Sequence, residues 1–258
     1  MKTTVLVPLY IYPLPQAWDP LFQAIQDYPH VSFLIIVNPN SGPGTPEQAS
    51  PDDAYRVAVS RLHAFPNVAT VGYVLVDYTR RPLHEVTSDI DRYAAWAALP
   101  GLALGGILLD ETPNRWTHEA ETYLATLTRQ IKKSFQNALV VHNPGTPPDP
   151  GLTHSADVVV TCEESYSRWK SDEIQTYLRR MRYPRGMVGY QLNAVPIGAL
   201  GKVVREVHEV AAYVFATEVE GDFYERFGRT SWKILLDEIS QLTSQAESTV
   251  QSVDKVLG

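Results

Sequence analysis

Short apolar runs recur along the chain at 5–9, 33–37, 68–75, 106–109, 139–141, 158–161, 187–191 and 213–216. Runs of this length, rich in Val, Ile and Leu and bounded by Gly, Pro or Asn, read as strands buried on both faces. Between them lie segments whose apolar residues repeat every three or four positions, at 20–28, 54–65, 86–99, 116–135, 166–181 and 202–210. These predict amphipathic helices, and 234–257 predicts a last helix that covers the wall of the fold. Strict alternation of strand and helix implies parallel pairing through right-handed crossovers, and eight such units close a barrel.

The expected fold is therefore α/β, a single (β/α)8 TIM barrel over residues 1–258. A doubly wound sheet competes with it, but the first strand runs into Leu9-Tyr10-Ile11-Tyr12-Pro13-Leu14-Pro15, which is rigid and aromatic where a dinucleotide fold needs glycines. The Pro/Gly-rich stretches 38–51 and 143–151 each follow a strand, so they read as long βα loops over the active-site face.

A barrel gathers the carboxyl ends of its strands, so the residues just past each run are the candidate chemistry. Tyr10 and Tyr12 follow the first, Asn38 to Gly44 the second, and Asp77, Tyr78 and Arg80 the third. Gly105-Gly106-Ile107-Leu108-Leu109 ends in Asp110-Glu111; then come His142 and Asn143, Glu163 and Glu164, Gln191 and Asn193, and finally Glu218. The set is rich in carboxylates, amides and tyrosines and poor in cations. It suits a polyhydroxylated ligand, neutral or bearing amino groups, and not a phosphorylated one.

Glycoside cleavage needs one carboxyl group to protonate the leaving oxygen and a second as nucleophile or base. Asp110, Glu163 and Glu111 are the candidates, with proximity raising the pKa of one member. Neighbours on a strand point opposite ways, so Asp110 and Glu111 share a site only if the chain twists or bulges there. The expected pair is Asp110 with Glu163, Glu111 supporting the substrate, and Glu163 is preferred to Glu164 as nearer the strand end. Tyr10, Asn38, Tyr73, Asp77, Tyr78, Arg80, His142 and Gln191 would shape the groove, aromatic faces stacking on sugar rings. Which acid is nucleophile and which is proton donor stays open at this level.

The formal net charge of −7 and the scattered basic residues, apart from Arg179-Arg180-Met181-Arg182, give no phosphate-tracking surface, so nucleic acid is not an expected partner. His142, Asp77, Asp110 and Glu163 compose at best a weak metal set, since the seven histidines show no HxH or HExxH spacing; no metal or other cofactor is expected. There is no GxSxG elbow, and Cys162, the sole cysteine, reads as an inert core thiol. No run approaches the roughly 18 apolar residues that span a bilayer. The start, Met1 to Pro8, does not read as a signal peptide, which predicts an intracellular protein as written or an extracellular one if the chain is a trimmed form. A monomer is expected.

Val7-Pro8-Leu9-Tyr10-Ile11-Tyr12-Pro13 followed by Trp18, then Ile36-Val37-Asn38-Pro39-Asn40-Ser41-Gly42-Pro43-Gly44, Gly72-Tyr73-Val74 with Tyr78 and Arg80, and Asp110-Glu111 resembles the spherulin-4-like (spherulation-specific family 4) proteins. The likeness continues through Ala156-Asp157-Val158-Val159-Val160 to Glu163, Tyr166 and Trp169; Cys162 stands where an aromatic is expected, and the match thins beyond Gly198. The resemblance implies a (β/α)8 glycoside hydrolase, endo-acting on α-1,4-linked N-acetylgalactosamine in galactosaminogalactan, with the functional acids at Asp110, Glu111 and Glu163. A non-catalytic carbohydrate-binding barrel is the competing expectation, and a metal-dependent polysaccharide hydrolase or deacetylase a third.

Overall fold

The structure, a computed structural model, describes residues 2–45, 50–180 and 183–257. Eight parallel strands close a barrel in chain order: β1 (Thr4–Leu9), β2 (Ser32–Val37), β3 (Val68–Leu75), β4 (Gly106–Asp110), β5 (Leu139–Asn143), β6 (Val158–Ser165), β7 (Val188–Asn193) and β8 (Tyr213–Ala216). The closing pair sets Thr4 beside Tyr213 and Val5 beside Val214. The helices outside are α1 (Asp19–Asp27), α2 (Asp53–Leu62), α3 (Leu83–Ala95), α4 (His118–Ser134), α5 (Tyr166–Trp169), α6 (Asp172–Arg180), α7 (Ile197–His208) and α8 (Ser231–Leu257). All eight predicted strands are present, and β4, β5 and β6 run on past their apolar residues to include Asp110, Asn143 and Glu163.

Several helices differ from the pattern reading. The helix expected over 166–181 breaks after Trp169 into α5 and α6, and Met181 lies outside the described residues. Pro196 precedes the first turn of α7, so that helix begins at Ile197 and not at Lys202. Polar caps mark other starts: the Asp52 carboxylate accepts from Tyr55 N (2.9 Å) to open α2, and Thr117 Oγ1 accepts from Ala120 N (3.1 Å) to open α4. Glu218, expected among the strand-end chemistry, is used in the same way. Its carboxylate accepts from Thr230 N (3.0 Å), Ser231 N (3.4 Å) and the Ser231 hydroxyl, anchoring the start of α8.

Strand side chains alternate between two apolar layers. Leu6, Leu34, Ile36, Val71, Tyr73, Leu108, Val141, Val158 and Val160 fill the barrel interior. Val5, Val7, Phe33, Ile35, Ile107, Leu109, Val140 and Val214 point outward and are sealed by the helices. Gly72 is needed in that outer layer: a Cβ there would stand 2.8 Å from the ring of Tyr93, whose hydroxyl donates to Val37 O (3.0 Å).

The parity corrects one expected groove residue. Val141 points into the barrel, so His142 points out, buried under the helices with Nε2 lacking a protein hydrogen-bond partner. Burial pushes its pKa down to about 4, against the pull of Asp157. An unfolded histidine titrates near 6.5, so between the two values the unfolded chain binds the extra proton and stability falls as pH drops. The expected loss from this one group is about 3 kcal/mol across that window. Urea unfolding at pH values near 7 and near 4.5 should show His142→Gln losing markedly less stability over the interval than the parent; equal losses would mean that His142 is not the buried neutral group.

Candidate active site

A cavity of about 620 Å³ opens at the carboxyl ends of the strands. Strands β1 to β7 supply it from their last residues or those just beyond, because the inward parity that fills the barrel continues past the apolar core. Leu6 is followed inward by Pro8 and Tyr10, Ile36 by Asn38, Val71 by Tyr73, Leu108 by Asp110, and Val141 by Asn143. Gln191 comes from β7, and Tyr224 and Glu225 from the loop after β8.

Two acids enter the cavity only through backbone irregularities. In β6, Val160 pairs with Gly189 and Cys162 with Tyr190, leaving Thr161 as an extra residue. This bulge turns Cys162 into the outer layer and Glu163 inward; unbroken alternation from Val160 would have presented Glu164 instead. Glu164 pairs with Arg168 (3.1 Å). Glu111 follows Asp110 with φ of 53°, a left-handed turn that lets adjacent residues line one wall.

The Asp110 and Glu163 side chains share one donor. Asn143 Nδ2 donates to Asp110 Oδ1 (2.6 Å) and to Glu163 Oε2 (2.7 Å), one hydrogen to each. Its orientation follows from the other end of the amide, where Asn143 Oδ1 accepts from Gly145 N (3.0 Å). Tyr73 donates its hydroxyl to Asp110 Oδ2 (2.6 Å), and Gln191 Nε2 donates to Glu163 Oε2 (3.4 Å). The backbone repeats the linkage: Glu163 N donates to Gly145 O (2.8 Å), and Thr112 N to Asn143 O (3.1 Å).

These surroundings separate the acids. Burial, followed by the charge of Asp110, pushes Glu163 up to about 7, with the Asn143 bond pulling the other way. Asp110 is also raised by burial, but Tyr73, the Glu111 backbone and Asn143 all favour its anion. Glu163 thus retains a proton near neutrality, while at Asp110 three hydrogen-bond donors oppose the effect of burial. Glu111 is raised by burial, then by Asp110 and Asp77, and lowered by Arg80.

Aromatic rings form the far wall. Tyr10 meets Tyr73 edge-on (centroids 5.3 Å apart) and Tyr224 at 4.9 Å, while Tyr10 N donates to Tyr224 O (3.0 Å). Asn38, at the end of β2 and so between Tyr10 and Tyr73 in strand order, has its Oδ1 buried without a protein donor. Tyr78 stands at the mouth, half exposed, on a loop in which Asp77, Tyr78 and Thr79 have φ of 47°, 51° and 74°. Tyr78 N donates to Glu111 O (2.7 Å), tying this loop to the acid turn.

Of the residues expected from sequence, Asp110, Glu111, Glu163, Tyr10, Asn38, Tyr73, Tyr78 and Gln191 converge on the cavity. His142, Asp77 and Arg80 do not line it. Asp77 and Arg80 form an ion pair that braces the Tyr78 loop. With His142 facing outward, the metal set weighed from sequence is not assembled, and no cluster of three such ligands occurs among the described residues. Asn143 stood in the strand-end series without a role, and its period-two relation to Val141 is the signal that assigns it. Tyr224 and Glu225 were missed; the run Phe223-Tyr224-Glu225 follows the last strand, but the strand-end reading stopped at Glu218.

The solved structure of Sph3 from Aspergillus clavatus in complex with GalNAc superposes with a TM-score of 0.87 at 35% identity, covering 93% of this chain and 98% of that one. Spherulin-4 of Physarum polycephalum is 35% identical over 168 residues, which is 65% of this chain; the match spans 47%, about half, of that protein's length. The GH18 chitinase ChiB from Flavobacterium johnsoniae shares the barrel fold, with a TM-score of 0.58 at 8% identity over 94% of this chain and 96% of its own. The profile of spherulation-specific family 4 (Spherulin4) matches residues 4–239, and the chain belongs to that family.

Proposed function

We propose that this chain is an endo-acting glycoside hydrolase that cuts an α-1,4-linked galactosamine/N-acetylgalactosamine polymer with two carboxyl groups. The observation that carries the reading is the pair Asp110 and Glu163 joined through one Asn143 amide, with Glu163 pushed up to about 7 and Tyr73 supporting the anion at Asp110. The 35% identity to a Sph3 solved with GalNAc supports an amino sugar as the ligand class.

Glu163 donates its proton to the leaving glycosidic oxygen, the step that a carboxyl group with a pKa near the working pH performs best. Asp110, fixed by Tyr73 and Asn143, presents negative charge to the anomeric carbon as positive charge develops there. As the glycosidic bond breaks Asp110 bonds to the anomeric carbon, and Glu163, then ionised, takes a proton from the water whose oxygen displaces the Asp110 carboxylate. Because both carboxylate oxygens lie within 2.7 Å of one nitrogen, they are separated by less than twice that distance. That favours the spacing of about 5–5.5 Å typical of retaining enzymes over the roughly 6.5–9.5 Å that leaves inverting enzymes room for a water. Glu111 and Asn38 bind sugar hydroxyl or amino groups, and Tyr10, Tyr73, Tyr78 and Tyr224 contact ring faces.

Asp110→Asn and Glu163→Gln should each lower kcat by at least about a hundredfold. Reducing-end release from galactosamine polymers in acetylated and deacetylated forms measures this, with binding retained in both variants. Proton NMR of the first-formed ends should show the α-configuration. A parent protein that binds these polymers yet releases no ends would establish the carbohydrate-binding alternative.

The pH profile provides a separate check. Activity needs Glu163 protonated, so the rate should fall as pH rises through about 7. The Asn143 bond lowers the Glu163 pKa, so Asn143→Ala should move that alkaline limb to higher pH while reducing kcat. A limb that stays in place would place the controlling proton elsewhere.

A further inference from the structure

Four of the five tryptophans are core residues: Trp18, Trp96, Trp169 and Trp232 are 2%, 1%, 5% and 9% exposed. Trp116 is 50% exposed, on the loop that leaves β4 at Asp110 and Glu111. It is nonetheless held firmly. Its backbone N–H donates to Asp149 Oδ2 (2.7 Å), and its indole Nε1–H donates to Glu121 Oε2 (3.2 Å). The ring stands so close over Gly151 that a Cβ there would lie 2.5 Å from Trp116 Cδ1. A further bond, Asp149 N to Asn114 O (2.8 Å), joins this loop to the one after β5, which supplies Pro144 and Gly145 to the cavity.

An indole fixed by both its N–H groups and by the surface beneath it has lost its rotameric freedom in advance, so a flat ligand on its open face meets little further ordering cost. Water gains nothing from that face. Carbohydrate does, because the C–H faces of a pyranose match an indole in shape and polarity. Trp116 is five residues beyond Glu111, hence no more than about 18 Å from it, which is a span of a few sugar units.

We propose that Trp116 is a stacking platform for a sugar residue of the same polymer, forming a distal subsite on the β4–β5 side of the cavity. The proposal rests on the reading of the substrate as a glycan. The subsite would let the enzyme favour long chains over short ones, which the central cavity does not do by itself.

Trp116 is the one tryptophan open to a collisional quencher, so iodide quenching of intrinsic fluorescence reports on it directly. The Glu163→Gln protein would be titrated with an α-1,4-linked galactosamine disaccharide and with an octasaccharide, in acetylated and free-amine forms, and affinities measured in parallel by calorimetry. The octasaccharide should protect the fluorescence and the disaccharide should not. Trp116→Ala should weaken octasaccharide binding roughly tenfold and leave disaccharide binding unchanged, with Trp116→Phe retaining most of the affinity. An octasaccharide that binds by calorimetry without protecting Trp116, or that binds Trp116→Ala equally well, overturns the subsite while leaving the catalytic reading in place. Failure of both oligosaccharides to bind overturns the galactosamine-polymer reading and the subsite with it.

Discussion

Two carboxyl groups buried in one cavity repel each other and lose their hydration, and everything around Asp110 and Glu163 answers that constraint. One amide, Asn143, gives a hydrogen to each. Tyr73 adds a second donor to Asp110 at 2.6 Å, where Glu163 has only Gln191 at 3.4 Å, so hydrogen bonding favours the anion more at the aspartate than at the glutamate. The proposed roles rest on that inequality, since an acid and a base made from the same functional group differ only through their surroundings. Asn143 is in turn fixed by Gly145 N, whose loop also accepts the backbone N–H of Glu163. Donor and acceptors thus move as one unit.

The barrel makes such a unit affordable. Apolar side chains of alternating parity pack its interior from Leu6 to Val160, so the last inward position on each strand is held as rigidly as the core beneath it. Polar groups placed there need little support of their own. The exceptions are the two acids that parity alone would not deliver, Glu163 by a bulge at Thr161 and Glu111 by a left-handed residue. Irregular backbone sits where these two acids enter the cavity.

This division explains what could be read from sequence. Strand identity, the barrel and the acids Asp110 and Glu163 follow from alternating apolar runs and from what stands at their ends. The role of Asn143 was within reach, because it is two residues beyond an inward Val141, and the same count removes His142. The bulge was not legible: Thr161 and Cys162 are ordinary strand residues, and only pairing with Gly189 and Tyr190 shows that one is surplus. Glu218 misled because a carboxylate after a strand looks alike whether it faces a substrate or the first turn of a helix, and here α8 takes it. Tyr224 was hidden because it reaches the cavity from beyond the last strand end, through contact with Tyr10.

The claim that Asp110 and Glu163 form one electrostatically coupled unit is open to direct measurement by carbon-13 NMR titration of the labelled glutamate carboxyls, in the parent and in Asp110→Asn. The Glu163 signal should titrate near 7 in the parent. It should move down when the Asp110 charge is removed, yet stay above the ordinary glutamate value of about 4.3, because burial remains. A parent Glu163 that titrates at that ordinary value, or one that Asp110→Asn leaves unmoved, would contradict the account.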